Sequence, residues 1–113
     1  MKEQLSVISK SKSMVKSVYE LCKELPKEEK YALIPQMCRA AISVPSNLAE
    51  GQQRTDKEFI RFISIARGSL FELKVQVEIC QELYGMQLSD LLQSIDEIGK
   101  MTYGLTLKLK SGG

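Results

Sequence analysis

Residues Gln36 to Leu73 read QMCRAAISVPSNLAEGQQRTDKEFIRFISIARGSLFEL, and they contain two helical patterns joined by one short turn. Gly51 stands where a helix C-cap favours positive φ, so Gln52-Gln53-Arg54 is expected to make the turn. Thr55-Asp56-Lys57-Glu58 then reads as a capping box, with Thr55 accepting from the backbone near Glu58 while Glu58 reaches back. A turn this short makes the two helices antiparallel neighbours.

The first helix of this hairpin is expected from about residue 27 to 50, and the second from 55 to 83, closed by Tyr84-Gly85. Pro26 suits the opening turn, and Glu28 and Glu29 suit the positive end of the helix dipole. Pro35 and Pro45 fall inside the pattern, where each removes a backbone hydrogen bond, so a kink or break is expected at one or both. The inward stripe is Tyr31, Ile34, Met37, Cys38, Ala41, Val44 and Leu48. Gln36, Arg39, Ser43, Ser46, Asn47 and Glu50 occupy another sector about 100° wide. Amides, hydroxyls and one Arg suit a shared hydrogen-bond network, between protomers or to a ligand; an ordinary wet face is the alternative.

The helix over 55–83 has more apolar surface than one seam requires. Phe59, Phe62, Ile63, Ala66, Leu70, Leu73, Val77 and Cys80 form the inward stripe, while Ile60, Phe71, Val75 and Ile79 lie on another side with the small residues Ser64 and Gly68. Either this helix is enclosed by the bundle, or its second face packs on another copy of the chain. Gly68 in mid-helix costs about 1 kcal/mol relative to Ala, which a close helix approach would explain.

On the N-terminal side, Leu5, Ile8, Val15, Val18, Tyr19 and Cys22 recur at helical spacing over about 4–24, with a gap at Lys12. Lys10, Lys12, Lys16 and Lys23 line the other face, as a solvated surface or as a phosphate-contacting patch. On the C-terminal side, Ser89 is an expected N-cap, and Leu88, Leu91, Ile95, Ile98, Thr102, Leu105 and Leu109 make a heptad seam over about 89–110. Gly99 and Gly104 weaken that helix for no reason visible in the sequence. The fold expected over residues 1–113 is all-α, a single antiparallel up-down-up-down four-helix bundle.

At 113 residues, the chain can bury roughly 60 to 70% of its unfolded surface in one core. That core must be aliphatic, since Trp is absent and only three Phe and four Tyr occur. Sixteen basic and fourteen acidic residues leave a formal charge of +2, too small for one protomer to draw polyanions by its overall field. Any nucleic-acid site must come from local clustering or from several copies. Cys22, Cys38 and Cys80 are odd in number, far apart in sequence and flanked by apolar residues, which argues against a disulfide framework or metal-ligand spacing and for small buried apolar groups. The N-terminus has no signal-like apolar run and no stretch suits a membrane span, so the expected location is the cytoplasm.

Histidine is absent, and with it the commonest general base and the arginine–histidine pair of helical ribonucleases. Glu50, Glu58, Glu72 and Glu78 read as caps or helix-face charges, and a di-metal bundle would need a Glu-x-x-His motif. No catalytic residue, metal or cofactor is expected. Arg39, Arg54, Lys57 and Arg61 lie on or near the central turn, and with Lys12 and Lys16 they are the candidate phosphate contacts. Repeated around a ring, they would form a continuous basic surface. Aromatics are not interleaved with them, so base stacking is not suggested.

Gln36, Arg39-Ala40-Ala41, Ser43 and Asn47-Leu48-Ala49-Glu50-Gly51, then Arg54, Glu58-Phe59, Ala66-Arg67-Gly68-Ser69-Leu70 and Glu72-Leu73, together form a pattern that resembles the four-helix bundle proteins linked to large-subunit ribosomal RNA intervening sequences. The accessory variability determinant of diversity-generating retroelements is similar. The resemblance implies a four-helix protomer and a homopentameric barrel with a central channel. For the retroelement branch it implies a basic surface that binds RNA or DNA and a reverse transcriptase as partner. Arg39, Asn47, Glu50, Ser69 and Glu72 are then either ligand contacts or residues that set bundle and ring geometry. Two functions follow as expectations: a ring-forming protein that binds structured nucleic acid, or an oligomeric scaffold that docks a protein partner on the exposed apolar side of the third helix.

Overall fold

The computed structural model describes residues 2–112; Met1 and Gly113 lie outside the described residues. Four α-helices, α1 (Lys2–Glu24), α2 (Leu33–Gln52), α3 (Asp56–Tyr84) and α4 (Ser89–Lys110), are joined by short links, and no strand occurs among the described residues. Each helix packs mainly on its two neighbours, α1 on α2 and α4, and α3 on α2 and α4; the α2–α3 interface is the most extensive. Cross-helix contacts fix the directions. Ser43 meets Ser69 and Met37 meets Cys80 between α2 and α3, Arg67 meets Gly99 between α3 and α4, and Glu3 meets Lys108 between α1 and α4. The result is the all-α antiparallel bundle, with extents of 47 × 23 × 18 Å.

The α2–α3 hairpin closes differently from the sequence expectation. Gly51 is not a left-handed C-cap: it is buried inside α2, which continues to Gln52, and positive φ occurs only at Gly85 and Gly112 among the described residues. Its reason is space. A Cβ built there would stand 2.7 Å from Phe59 Cδ1 and 2.7 Å from Phe62 Cβ, so α2 and the first turns of α3 approach closely because Gly51 has no side chain. Thr55 does cap α3, accepting from the Glu58 N–H at 3.3 Å, but the Glu58 carboxylate meets the Thr55 hydroxyl at 3.1 Å. At its other end α3 stops at Gly85, in the left-handed region at φ 62°.

Four further expectations are corrected. Helix two does not start at residue 27: Lys27–Glu29 is a single 3-10 turn, and α2 begins at Leu33. Pro35 then lies in the first helical turn, where N–H groups have no intrahelical partner, and the chain breaks upstream of it. Pro45 stays inside α2. Tyr31 falls in the break and is 87% exposed rather than part of the core. On α1, Leu5 and Tyr19 are exposed, and the buried seam is Val7, Ser11, Met14, Val18 and Leu21. The apparent gap at Lys12 arises because a polar residue occupies the seam: Ser11 Oγ donates to the Val7 carbonyl at 2.7 Å and needs no other partner. Ser89 is the first residue of α4 and gives no side-chain cap; Leu88 precedes it.

The expected inward residues of α3 and α4 otherwise form the core, with Phe59, Ile63, Ala66, Leu70, Leu73, Val77 and Cys80 facing Leu91, Ile95, Ile98 and Leu105; Phe62 is half-buried. The Gly99 carbonyl accepts from Arg67 Nη1 at 2.5 Å, but a Cβ there would meet Leu70 Cδ2 at an ordinary 3.8 Å, so the packing does not require glycine. Nothing in the structure explains Gly104. At the end of the bundle that also holds the α2–α3 turn, Lys108 Nζ meets Glu3 Oε1 at 2.8 Å, and this hydrogen bond holds the Glu3 carboxyl down at about 2, from an ordinary 4.5. The clamp is therefore complete above about 4.5 and is lost as pH falls through about 2.

Gly51→Ala is expected to lower stability by about 1–3 kcal/mol through overpacking, despite the better helix propensity of alanine. Gly68→Ala, which faces open space, is expected to raise protomer stability by up to about 1 kcal/mol. Urea unfolding of the two variants checks both signs.

Candidate functional site

Three surfaces hold the residues singled out from the sequence. The first is the turn between α2 and α3. Arg54 Nη2 lies 2.5 Å from Glu50 Oε1, and Nη1 is 3.9 Å from Glu58. The Glu50 hydrogen bond pushes the guanidinium further up from its ordinary value. Arg54 and Arg61 both lie over the Phe62 ring, at 5.6 and 5.0 Å from its centre, and Lys57 is exposed in the first turn of α3. Arg54, Lys57 and Arg61 thus share one end of the bundle. Lys12 and Lys16 are exposed on the outer side of α1, while Arg39 faces a groove along α2 and α3, so the six candidates are not one patch.

The antiparallel packing also sorts charge along the bundle. The end where α1 starts, α2 meets α3 and α4 finishes carries Lys2, Arg54, Lys57, Arg61, Lys108 and Lys110 against Glu3, Glu50, Asp56 and Glu58. The opposite end carries Glu20, Glu24, Glu28, Glu29, Glu82 and Asp90 against Lys23, Lys27 and Lys30. A chain of net charge +2 therefore has a basic end and an acidic end.

The second surface is the polar groove between α2 and α3, of about 290 Å³, lined by Gln36, Arg39, Ala40, Ser43, Ser69, Glu72 and Gln76. Ser69 Oγ donates to Ser43 Oγ at 2.8 Å, and Asn47 Nδ2 donates to the Ser43 carbonyl at 2.8 Å and to its hydroxyl at 2.9 Å. The polar stripe of α2 is thereby joined to the Gly-Ser pair of α3. Glu50 does not take part, being turned to Arg54. Gln76, which sequence reasoning missed, is 6% exposed, and its Oε1 is buried with no partner. Its signal was an amide placed among Leu73, Val77 and Cys80 at core spacing.

The third surface is the outer side of α3. Phe71 and Val75 are 58% and 54% exposed, Ser64 and Gly68 are exposed, and Ile60 and Ile79 are half-buried. Toward α4 this side borders an apolar groove of about 350 Å³ that includes Leu70, Phe71, Ile95 and Tyr103. Arg67 crosses it, donating to Gly99 and, at 2.8 Å, to Thr102 Oγ1, with its guanidinium 5.9 Å from the centre of Phe71 and 5.6 Å from that of Tyr103. Lys74 pairs with Asp96 at 3.3 Å. Among the described residues no acidic, cysteine or histidine cluster suits a metal ion, and no helix is long and apolar enough to cross a membrane.

Residues 3–104 match the family described as 23S rRNA-intervening sequence protein. The chain belongs to this family. Its fold is similar to a solved structure from Bacteroides thetaiotaomicron, a protein with unknown function from the S23 ribosomal protein family, at 21% identity and a TM-score of 0.83 over 92% of this chain and 97% of that one. No curated protein is significantly similar to the chain in sequence. Neither the family description nor the solved relative names a reaction. Within this family member, the match contains all three surfaces: the basic turn, the polar groove and the apolar side of α3.

Gln76→Met removes a buried acceptor that has no partner, and is expected to leave protomer stability unchanged or raise it by about 1 kcal/mol. Thermal unfolding of the dilute protein checks this; a clear loss would mean that Oε1 is satisfied in the native state by a group outside the protomer.

Proposed function

We propose that this family member is a non-enzymatic, cytoplasmic, ring-forming protein that binds structured nucleic acid, without sequence readout, on its basic end. The observation that carries this reading is the segregation of charge along the bundle. Five copies, the number the family resemblance implies, would place Lys57 and Arg61 of every protomer around one rim, where many weak phosphate contacts release counterions together. Arg54 contributes less, because Glu50 and Glu58 already neutralise it. Assembly through the outer side of α3 gives Phe71 and Val75 a partner and gives Gly68, open in the protomer, a reason to lack a side chain.

A second reading is favoured by the apolar groove beside Phe71 and Tyr103: an oligomeric scaffold that docks a protein instead of nucleic acid. If the chain belongs to the retroelement branch, that partner is a reverse transcriptase.

Binding of a labelled structured RNA, measured at several salt concentrations with the mass of the free protein in the same buffer, separates the readings. The first expects steep salt dependence, and expects Lys57→Glu and Arg61→Glu each to weaken binding by about tenfold and flatten the salt slope while the oligomer persists. An intact oligomer that binds no RNA at low salt would favour the scaffold. Phe71→Asp is expected to yield folded monomers by light scattering; an unchanged oligomer would remove the outer side of α3 from the interface.

A further inference from the structure

Cys22 near the end of α1 and Cys38 in α2 bring their sulfur atoms to 3.9 Å across the helix interface. Both side chains are half-buried rather than sealed in the core. Sixteen positions separate them in sequence, and the corner from Pro26 to Ala32 turns the chain so that the two thiols face each other. The third cysteine has a different setting. Cys80 is fully buried, and its thiol points at the Met37 thioether at 3.6 Å, a sulfur that cannot exchange. Tertiary packing has therefore sorted three similar residues into one accessible pair and one sealed thiol.

We propose that Cys22 and Cys38 are a reversible modification site, at which exchange with a low-molecular-weight disulfide forms an intramolecular disulfide that joins α1 to α2. A side-chain rotation of each cysteine is enough to bring sulfurs in van der Waals contact toward bonding distance. Burial first, and Cys38 next, push the Cys22 thiol up to about 12, and with both sulfurs half-buried the geometry lets either one open the exchange. The thiolate of one cysteine attacks one sulfur of the small disulfide, whose S–S bond breaks and releases one small thiol. The other cysteine then loses its proton to solvent and attacks the capped sulfur of its partner, and the second small thiol leaves. Two protein thiols become one disulfide, and the small disulfide takes up two electrons and two protons as two thiols. A reducing thiol pool reverses the sequence, so the bond is a response to oxidant rather than a permanent staple.

The test uses the full chain, incubated in glutathione buffers from reducing to oxidising, then quenched and unfolded in N-ethylmaleimide with guanidinium chloride so that the sealed thiol is labelled too, and read by intact mass and peptide mapping. At the oxidising end the expected species is folded, lighter than the reduced protein by about 2 Da before labelling, and carries one label, on Cys80. Dithiothreitol is expected to restore three labels. Cys22→Ser and Cys38→Ser are each expected to form no bridge and to stop at a glutathione adduct on the remaining thiol of the pair, because the resolving thiol is gone. Three labels at the oxidising end, a wild-type protein that stops at the adduct, or a bridge that includes Cys80 would each overturn the proposal.

Discussion

The close approach of α2 and α3 at Gly51 is the constraint on which the rest of the bundle depends. With no Cβ between them, the α2 backbone lies against Phe59 and Phe62, and a link of only a few residues is long enough to reverse the chain. That contact sets the axial register of the most extensive helix interface. Ser43 then meets Ser69 and, further from the turn, Met37 meets Cys80. The polar groove is a product of this register, as is the stacking of Arg54 and Arg61 on the Phe62 ring.

The antiparallel order converts a nearly neutral sequence into an electrically asymmetric body. Helix starts and finishes that are remote in the chain meet at one end, and there the lysines and arginines outnumber the carboxylates. Over a length of 47 Å the two ends are separated by several Debye lengths at physiological salt, so a polyanion meeting the basic end is not repelled by the acidic one. The helix that borders this end, α3, also has a side that the protomer leaves open, with Phe71 and Val75 exposed. A protein of the 23S rRNA-intervening sequence family thus offers a charged end and an apolar flank as distinct surfaces, each suited to a different kind of contact.

Much of the fold was legible because each helix carries its own signals. The Thr55 cap, the left-handed Gly85 and the seam of α4 are local, and each appears where spacing and turn chemistry put it. The misreadings have local causes as well. Ser11 hides the α1 seam because a hydroxyl that bonds its own helix behaves as a small core residue, which hydropathy does not register. Pro35 can mark either a kink or a helix start; here it lies in the first turn of α2, with Leu33 and Ile34 packed against the core and Tyr31 exposed in the break before them. Gly51 looked like a cap because the sequence displays a glycine near a turn but not the two phenylalanine rings that need its space.

Periodicity by itself determined the four helices, their antiparallel order and the polar stripe on α2, because these rest on which residues share a face of one helix and on how short the links are. Only the tertiary structure decided which faces meet and at what level. It joined Ser43 to Ser69, left the Gln76 carbonyl without a partner, placed Arg39 apart from Arg54, and brought Cys22 to Cys38. The physical reason is that contact between helices depends on axial register and rotation, which are set jointly by the whole core and by close approaches such as Gly51, and no single segment of sequence carries that information.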